Sequence, residues 1–232
     1  MTINIVSVSG QAYVSGNYVN VASIVADTYD RKGVIVWHDG FEHGLNKWDP
    51  GGSGLGNSVD ITSVAAWLKD SCCMLTCGST LQRNSDIQKQ FNPYSTGNLG
   101  FEFSFATDAS IDYIQLQITK FGAETRIGAV DIYKDGRLRY YKADGTWETL
   151  ESGLEFTYET THWYTVKMVL NFTDNKYVRI IHQDKTFDID TGLRILPHTF
   201  PDYILIQVRA VGLALTNAKA YIDNFIITQD EP

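Results

Sequence analysis

From Val34 onward apolar and polar side chains alternate. Phe101, Phe103 and Phe105 share one face against Glu102 and Ser104, and Ile114, Leu116 and Ile118 oppose Tyr113, Gln115 and Gln117. A period of two marks half-buried β-strands. Tyr164, Val166, Met168, Leu170 and Phe172 make the longest clean run, and further strands are predicted over residues 177–182, 203–211 and 218–228. Turns are expected at Asp135-Gly136, Asp144-Gly145 and Asp174-Asn175, where Gly and Asn tolerate positive φ, so residues 127–150 read as a meander of short strands. Residues 51–57 (Gly-Gly-Ser-Gly-Leu-Gly-Asn) are too rich in glycine for a strand and are expected to form an exposed loop.

The segment Trp37-His38-Asp39-Gly40-Phe41-Glu42-His43-Gly44-Leu45-Asn46-Lys47-Trp48 is answered near the other end by Tyr221-Ile222-Asp223-Asn224-Phe225. An acidic, Gly-containing corner and a last strand with an inward Asp223 make sense together if the first and last strands of one domain pair, which brings Glu42 close to Asp223. The predicted fold is an all-β antiparallel sandwich over residues 33–232, preceded by an extended N-terminal arm over residues 1–32. In that arm a degenerate Val-Ser-Gly repeat (Val6-Ser7-Val8-Ser9-Gly10, Val14-Ser15-Gly16) alternates small polar residues with Val, Ile and Tyr, a good strand with little core. It is expected to pair with a sheet edge of its own or a neighbouring subunit, making a homo-oligomer through the arm. An intrachain edge strand or a loose tail is the other reading.

Composition supports this class. With 44% hydrophobic residues in 232 there is ample material for one large core, and thirteen Tyr, eleven Phe and only five Pro favour strands, with little helix. A net charge of −8, with its basic residues scattered, argues against nucleic acid as a partner. There is no apolar run to cross a membrane, and the N-terminus lacks the pattern of a secretory signal, so synthesis in a host cytoplasm without a signal peptide is expected. Cys72, Cys73 and Cys77 are an odd, clustered set without zinc-ligand spacing, and are expected to be buried strand thiols.

A sandwich closed by its terminal strands is a jelly roll. The Asp-Gly-Phe-Glu opening with Gly44-Leu45 and Lys47-Trp48, the strand Trp163-Tyr164-Thr165-Val166-Lys167-Met168 followed by Asn175-Lys176-Tyr177, and the closing Ile222-Asp223-Asn224-Phe225 resemble the concanavalin A-like lectin/glucanase superfamily with its laminin-G-like modules. The resemblance covers about residues 34 to 228 and identifies a scaffold better than an activity. It implies a structural Ca2+ held by Glu42 and Asp223, with backbone carbonyls completing the shell and Asp39 as the candidate further ligand. Otherwise Glu42 accepts turn N–H bonds and Asp223 caps an edge.

Catalytic constellations are missing from the pattern. Glucanases of this superfamily carry their acids as Glu-x-Asp-x-x-Glu or Glu-x-Asp-x-Glu, and the nearest approach, Asp188 and Asp190, reads as a solvated strand end. Tyr140-Tyr141-Lys142-Ala143 and Ile181-His182 echo the strands of jelly-roll alginate lyases, but in the wrong order and without an Arg-x-Glu partner. No Gly-x-Ser-x-Gly elbow is present, and the five histidines lack metal-ligand spacing. What remains is a surface. Tyr113, Gln115 and Gln117 on one strand and Tyr203, Gln207 and Arg209 on another mix aromatic planes, amides and a guanidinium, as sugar-binding faces and solvated outer sheet faces both do; Trp147 and Trp67 are further candidates. A Val-Ser-Gly-rich leader before such a jelly roll is also similar to phage structural proteins. The first reading is therefore a non-enzymatic virion surface protein, a capsid decoration or turret component with a capsid protein as partner. The alternative is a carbohydrate-binding module with a polysaccharide partner, ahead of a polysaccharide lyase or glycoside hydrolase.

Overall fold

The computed structural model describes residues 6–8, 11–13, 32–67, 70–80, 83–92, 97–157, 159–213 and 217–232. The chain divides into two compact units, Met1–Lys32 and Gly33–Pro232. In the first, β1 (Val6–Val8) pairs antiparallel with β2 (Gln11–Tyr13), Val6 opposite Tyr13. The rest of the expected arm, and its part in self-association, lies outside the described residues.

In the second unit the strands are β3 (Val34–Asp39), β4 (Asp49–Ser53), β5 (Ser58–Thr62), β6 (Cys72–Thr76), β7 (Asn84–Phe91), β8 (Asn98–Thr107), β9 (Ile111–Phe121), β10 (Thr125–Tyr133), β11 (Leu138–Tyr141), β12 (Trp147–Glu151), β13 (Tyr164–Asn171), β14 (Lys176–His182), β15 (Lys185–Asp188), β16 (Arg194–Leu196), β17 (Tyr203–Gly212) and β18 (Lys219–Gln229). They form two antiparallel sheets. Sheet I runs β12-β11-β10-β9-β17-β7-β4, with β16 beside β10. Sheet II runs β15-β14-β13-β8-β18-β6-β5, with β3 beside β18. No helix occurs among the described residues.

The sheets pack into one sandwich of the jelly-roll type. Phe101, Phe103, Val166, Met168, Ile222 and Phe225 of sheet II share a buried cluster with Ile87, Ile114, Leu116, Ile118, Ile206 and Val208 of sheet I. A polar tie crosses it: the Tyr177 hydroxyl, fully buried on β14, accepts from Ala129 N on β10 (2.8 Å) and donates to Tyr141 O on β11 (2.7 Å). The first and last strands of the sandwich do pair, with Asp39 opposite Phe225.

The meander is observed as β10, β11 and β12, turning at Gly136 (φ +85°) and Gly145 (φ +82°). The glycine-rich stretch differs from expectation, because β4 takes in Gly51 and Gly52 as the edge strand of sheet I against β7. Glycine is needed there for a tertiary reason: a Cβ on Gly51 would lie 2.9 Å from an Asp86 carboxylate oxygen. Pro50 donates no hydrogen bond and fits an edge.

Candidate functional site

The outer face of sheet I, turned away from the core, collects polar side chains in rows across strands. Because Ile114, Leu116 and Ile118 point inward, Tyr113, Gln115, Gln117, Thr119 and Phe121 of β9 point outward. Register then sets Arg139 of β11, Asp131 of β10, Gln115 of β9, Arg209 of β17 and Asp86 of β7 side by side. The adjoining row holds Gln117, Gln207 and Gln88. On the opposite flank of the charged row Tyr113 faces Tyr133, their rings stacked at 4.9 Å.

This floor is unusually well shielded for an outer face, with Asp131 at 2%, Asp86 at 4%, Gln115 at 7% and Gln207 at 8% exposure. Buried polar groups need partners. Asp131 receives Gln115 Nε2 at 2.8 Å and Arg139 Nη2 at 3.4 Å, and Asp86 receives Gln88 Nε2 at 2.8 Å and Gln207 Nε2 at 2.9 Å. Arg139 also bonds the Tyr133 hydroxyl and lies 4.3 Å from that ring's centroid and 5.4 Å from that of Trp147. Burial pushes the Asp131 carboxyl up to about 6, against the pull of Gln115 and Arg139 in the other direction. Burial also raises the phenols of Tyr113 and Tyr133 above their ordinary range.

Three atoms of the face are left unspent. Gln115 Oε1, Arg139 Nε and Arg209 Nε are buried with no partner among the described residues. Arg209 gives only Nη2 to Gln207 Oε1, at 3.1 Å. The acceptor thus adjoins Arg209 on the next strand, while Arg139 stands one strand beyond Asp131 on its other side, next to the aromatic pair.

The structure brings Tyr113, Gln115, Gln117, Gln207 and Arg209 together as neighbours on β9 and β17. Tyr203 is at the far end of the same strands, stacked on Phe121 at 4.6 Å, and Trp147 sits on edge strand β12 against Tyr141 at 5.1 Å. Asp86, Asp131, Tyr133 and Arg139 were not singled out from sequence. The usable signal was outward Asp131 and Tyr133 alternating with inward Val130 and Ile132.

The acidic corner is divided by the sheet. Asp39 shares the inner side with Phe225 and accepts from Trp48 Nε1 (3.0 Å), Phe41 N (3.2 Å) and Lys47 Nζ (3.3 Å). Asp223 was expected to point inward, but it pairs with Ser104 on the outer side of sheet II, where it accepts from Trp67 N at 3.1 Å. A bulge at Asn224 (φ +53°) reverses the alternation between Asp223 and Phe225. Burial raises the Cys72 thiol to about 12, with smaller electrostatic contributions from Asp223 and Glu42. Glu42 Oε1 is buried without a partner among the described residues, and no group of three or more His, Cys, Asp or Glu able to hold a metal is found among them.

The lyase-like echoes do not meet on one face. Tyr140 and His182 are both buried inward, on opposite sheets. Asp188 and Asp190 are exposed at the end of β15. Cys72, Cys73 and Cys77 are free and buried.

No family model matches the chain, and no curated protein matches it. Solved structures share its fold. A β-1,4-glucuronan lyase from the fungus Trichoderma reesei is 14% identical with a TM-score of 0.54, covering 84% of this chain and 95% of its own. A carbohydrate esterase of the Shiga toxin-encoding bacteriophage phi24B is 11% identical (TM-score 0.53; 84% and 98% covered). The carbohydrate recognition domain of Emp46p in its metal-free form is 13% identical (TM-score 0.51; 87% and 96% covered). At these identities the likeness is one of fold.

Proposed function

We propose that the sandwich binds carbohydrate, with sugar lying on the outer face of sheet I. The observation that carries this is the trio of unspent atoms, Gln115 Oε1, Arg139 Nε and Arg209 Nε, beside the Tyr113–Tyr133 stack. A sugar hydroxyl both donates and accepts, so it satisfies an amide oxygen and a guanidinium together, while its C–H faces pack on aromatic rings. Because these atoms are shielded from water, leaving them unpaired costs about 1–3 kcal/mol each, and a side-chain rotation that brings them to a bound hydroxyl recovers it.

The two shielded carboxylates of this face are too far apart to act as a hydrolytic pair. Asp131 and Asp86 are three strands apart, about 14 Å, whereas glycosidase carboxyl pairs lie about 5–9.5 Å apart. The virion-surface reading draws on the Val-Ser-Gly-rich leader, the acidic sandwich and a sequence without signal pattern or catalytic constellation, and no feature of this face adds to it. The test is a glycan array probed with the wild type, Tyr113→Ala and Arg209→Gln. We expect binding that falls at least tenfold in both variants with little change in melting temperature; full retention in both would exclude this face.

The resemblance to concanavalin A-like modules implies calcium at the opening corner held by Glu42 and Asp223, and the buried, unpartnered Glu42 Oε1 supplies a hard oxygen of the kind a cation completed by main-chain carbonyls would take. Asp39, on the other side of the sheet, is outside it. Calcium is therefore expected to raise the melting temperature of the wild type and of Asp39→Asn but not of Glu42→Gln. A wild type indifferent to both calcium and chelator would remove the ion.

A further inference from the structure

We infer that the outer face of sheet I takes an extended stretch of a linear polysaccharide lying along β9, held at its far end by an aromatic station of Phe121, Tyr203 and Phe200. The inference rests on the carbohydrate reading above and names the length and course of the ligand.

Tyr113 and Phe121 are the two ends of one outward row on β9, eight residues apart, so they are separated by about 27 Å. Each end carries a stacked aromatic pair: Tyr113 on Tyr133 at 4.9 Å, and Phe121 on Tyr203 at 4.6 Å, the latter two paired in register. Phe200 packs edge-on against Phe121 at 5.1 Å and is 47% exposed, a large apolar ring left in the open. Its segment is fixed, with Phe200 N donating to Gly122 O (3.0 Å) and Thr199 Oγ1 to Ala123 O (3.4 Å). The ring is thus held out rather than tucked away.

Between the two stations the outward positions of the floor are mostly polar: Gln115, Gln117 and Thr119 on β9, with Gln207 and Arg209 on β17, and Leu205 opposite Thr119 as the apolar exception on these two strands. Among the described strands none from a third layer lies over it. Aromatic platforms at both ends of a hydrogen-bonding floor suit a ligand with repeating apolar ring faces and hydroxyl edges. A disaccharide reaches one station only. A longer chain engages both, and the second contact is then intramolecular, which raises affinity without new chemistry.

The experiment takes soluble β-1,4-glucuronan, alginate, galactan and mixed-linkage glucan as probes, selects the tightest binder, and compares its disaccharide and octasaccharide by titration calorimetry. The wild type is expected to bind the octasaccharide at least tenfold more tightly than the disaccharide, and Phe200→Ala to lose most of that gain while melting like the wild type. A gain that survives Phe200→Ala, or a wild type that binds both lengths equally, overturns the extended course while Tyr113-sensitive binding would still uphold the face. Absence of binding to every probe overturns both.

Discussion

Glu231→Ala is expected to lower the stability of the sandwich by about 3 kcal/mol, measured by urea unfolding, although Glu231 lies beyond the last strand. The chain turns back at Asp230 (φ +54°) and plants the fully buried Glu231 carboxylate on the outer side of sheet II. There it meets Lys167 Nζ at 2.6 Å and Arg179 Nη2 at 2.6 Å, and accepts from the Thr228 hydroxyl. The two cations come from the adjacent strands β13 and β14, so one carboxylate fastens the segment after β18 across both. Removing it leaves Lys167, only 4% exposed at its side chain, and Arg179, at 11%, without their shared counter-charge. Breaking one member of a buried ion cluster typically costs about 3–5 kcal/mol. The lower figure applies because Glu102 stands opposite Lys167 in register. A loss below about 1 kcal/mol would show the cluster to be hydrated and weak.

The second large effect is a pair of opposed pH dependences inside one sandwich. Burial raises the Asp131 carboxyl to about 6, while burial, helped by Lys185, lowers His182 to about 4. Above pH 6 Asp131 is ionised in the folded and the unfolded chain. As pH falls through 6 the folded state takes up the proton first, so stability rises until the unfolded carboxyl also titrates near 4. His182 runs the other way. Below 6.5 the unfolded state gains a proton that the folded state refuses, so stability falls until about pH 4. Each effect amounts to about 3 kcal/mol across its window, and they nearly cancel. Relative to the wild type, Asp131→Asn should therefore lose about 3 kcal/mol of stability between pH 6.5 and 4, and His182→Gln should gain about as much. Variant profiles parallel to the wild type would show that neither group is shifted. Comparing each variant with the wild type removes the contribution of the other carboxylates.

Much of the scaffold was legible because alternation is local. The Phe101-Phe103-Phe105 and Ile114-Leu116-Ile118 runs place β8 and β9 and tell which side chains face out. The seam between β3 and β18 followed from matching acidic ends. Other features depend on neighbours distant in sequence. Position 51 of its strand takes glycine because Asp86, thirty-five positions later, occupies the space of a side chain. The row Arg139-Asp131-Gln115-Arg209-Asp86 runs across five strands, so no window of sequence contains it. Asp223 was assigned the wrong side because one bulge at Asn224 inverts every parity beyond it.

The most direct test of the carbohydrate face follows the Nε–Hε resonances of Arg139 and Arg209 in isotope-labelled protein while the tightest-binding oligosaccharide is titrated in. Both signals are predicted to move together and saturate with the binding isotherm, as the two unspent donors find hydroxyl oxygens. A saturating glycan that leaves both in place, or a protein that binds none, would contradict the account.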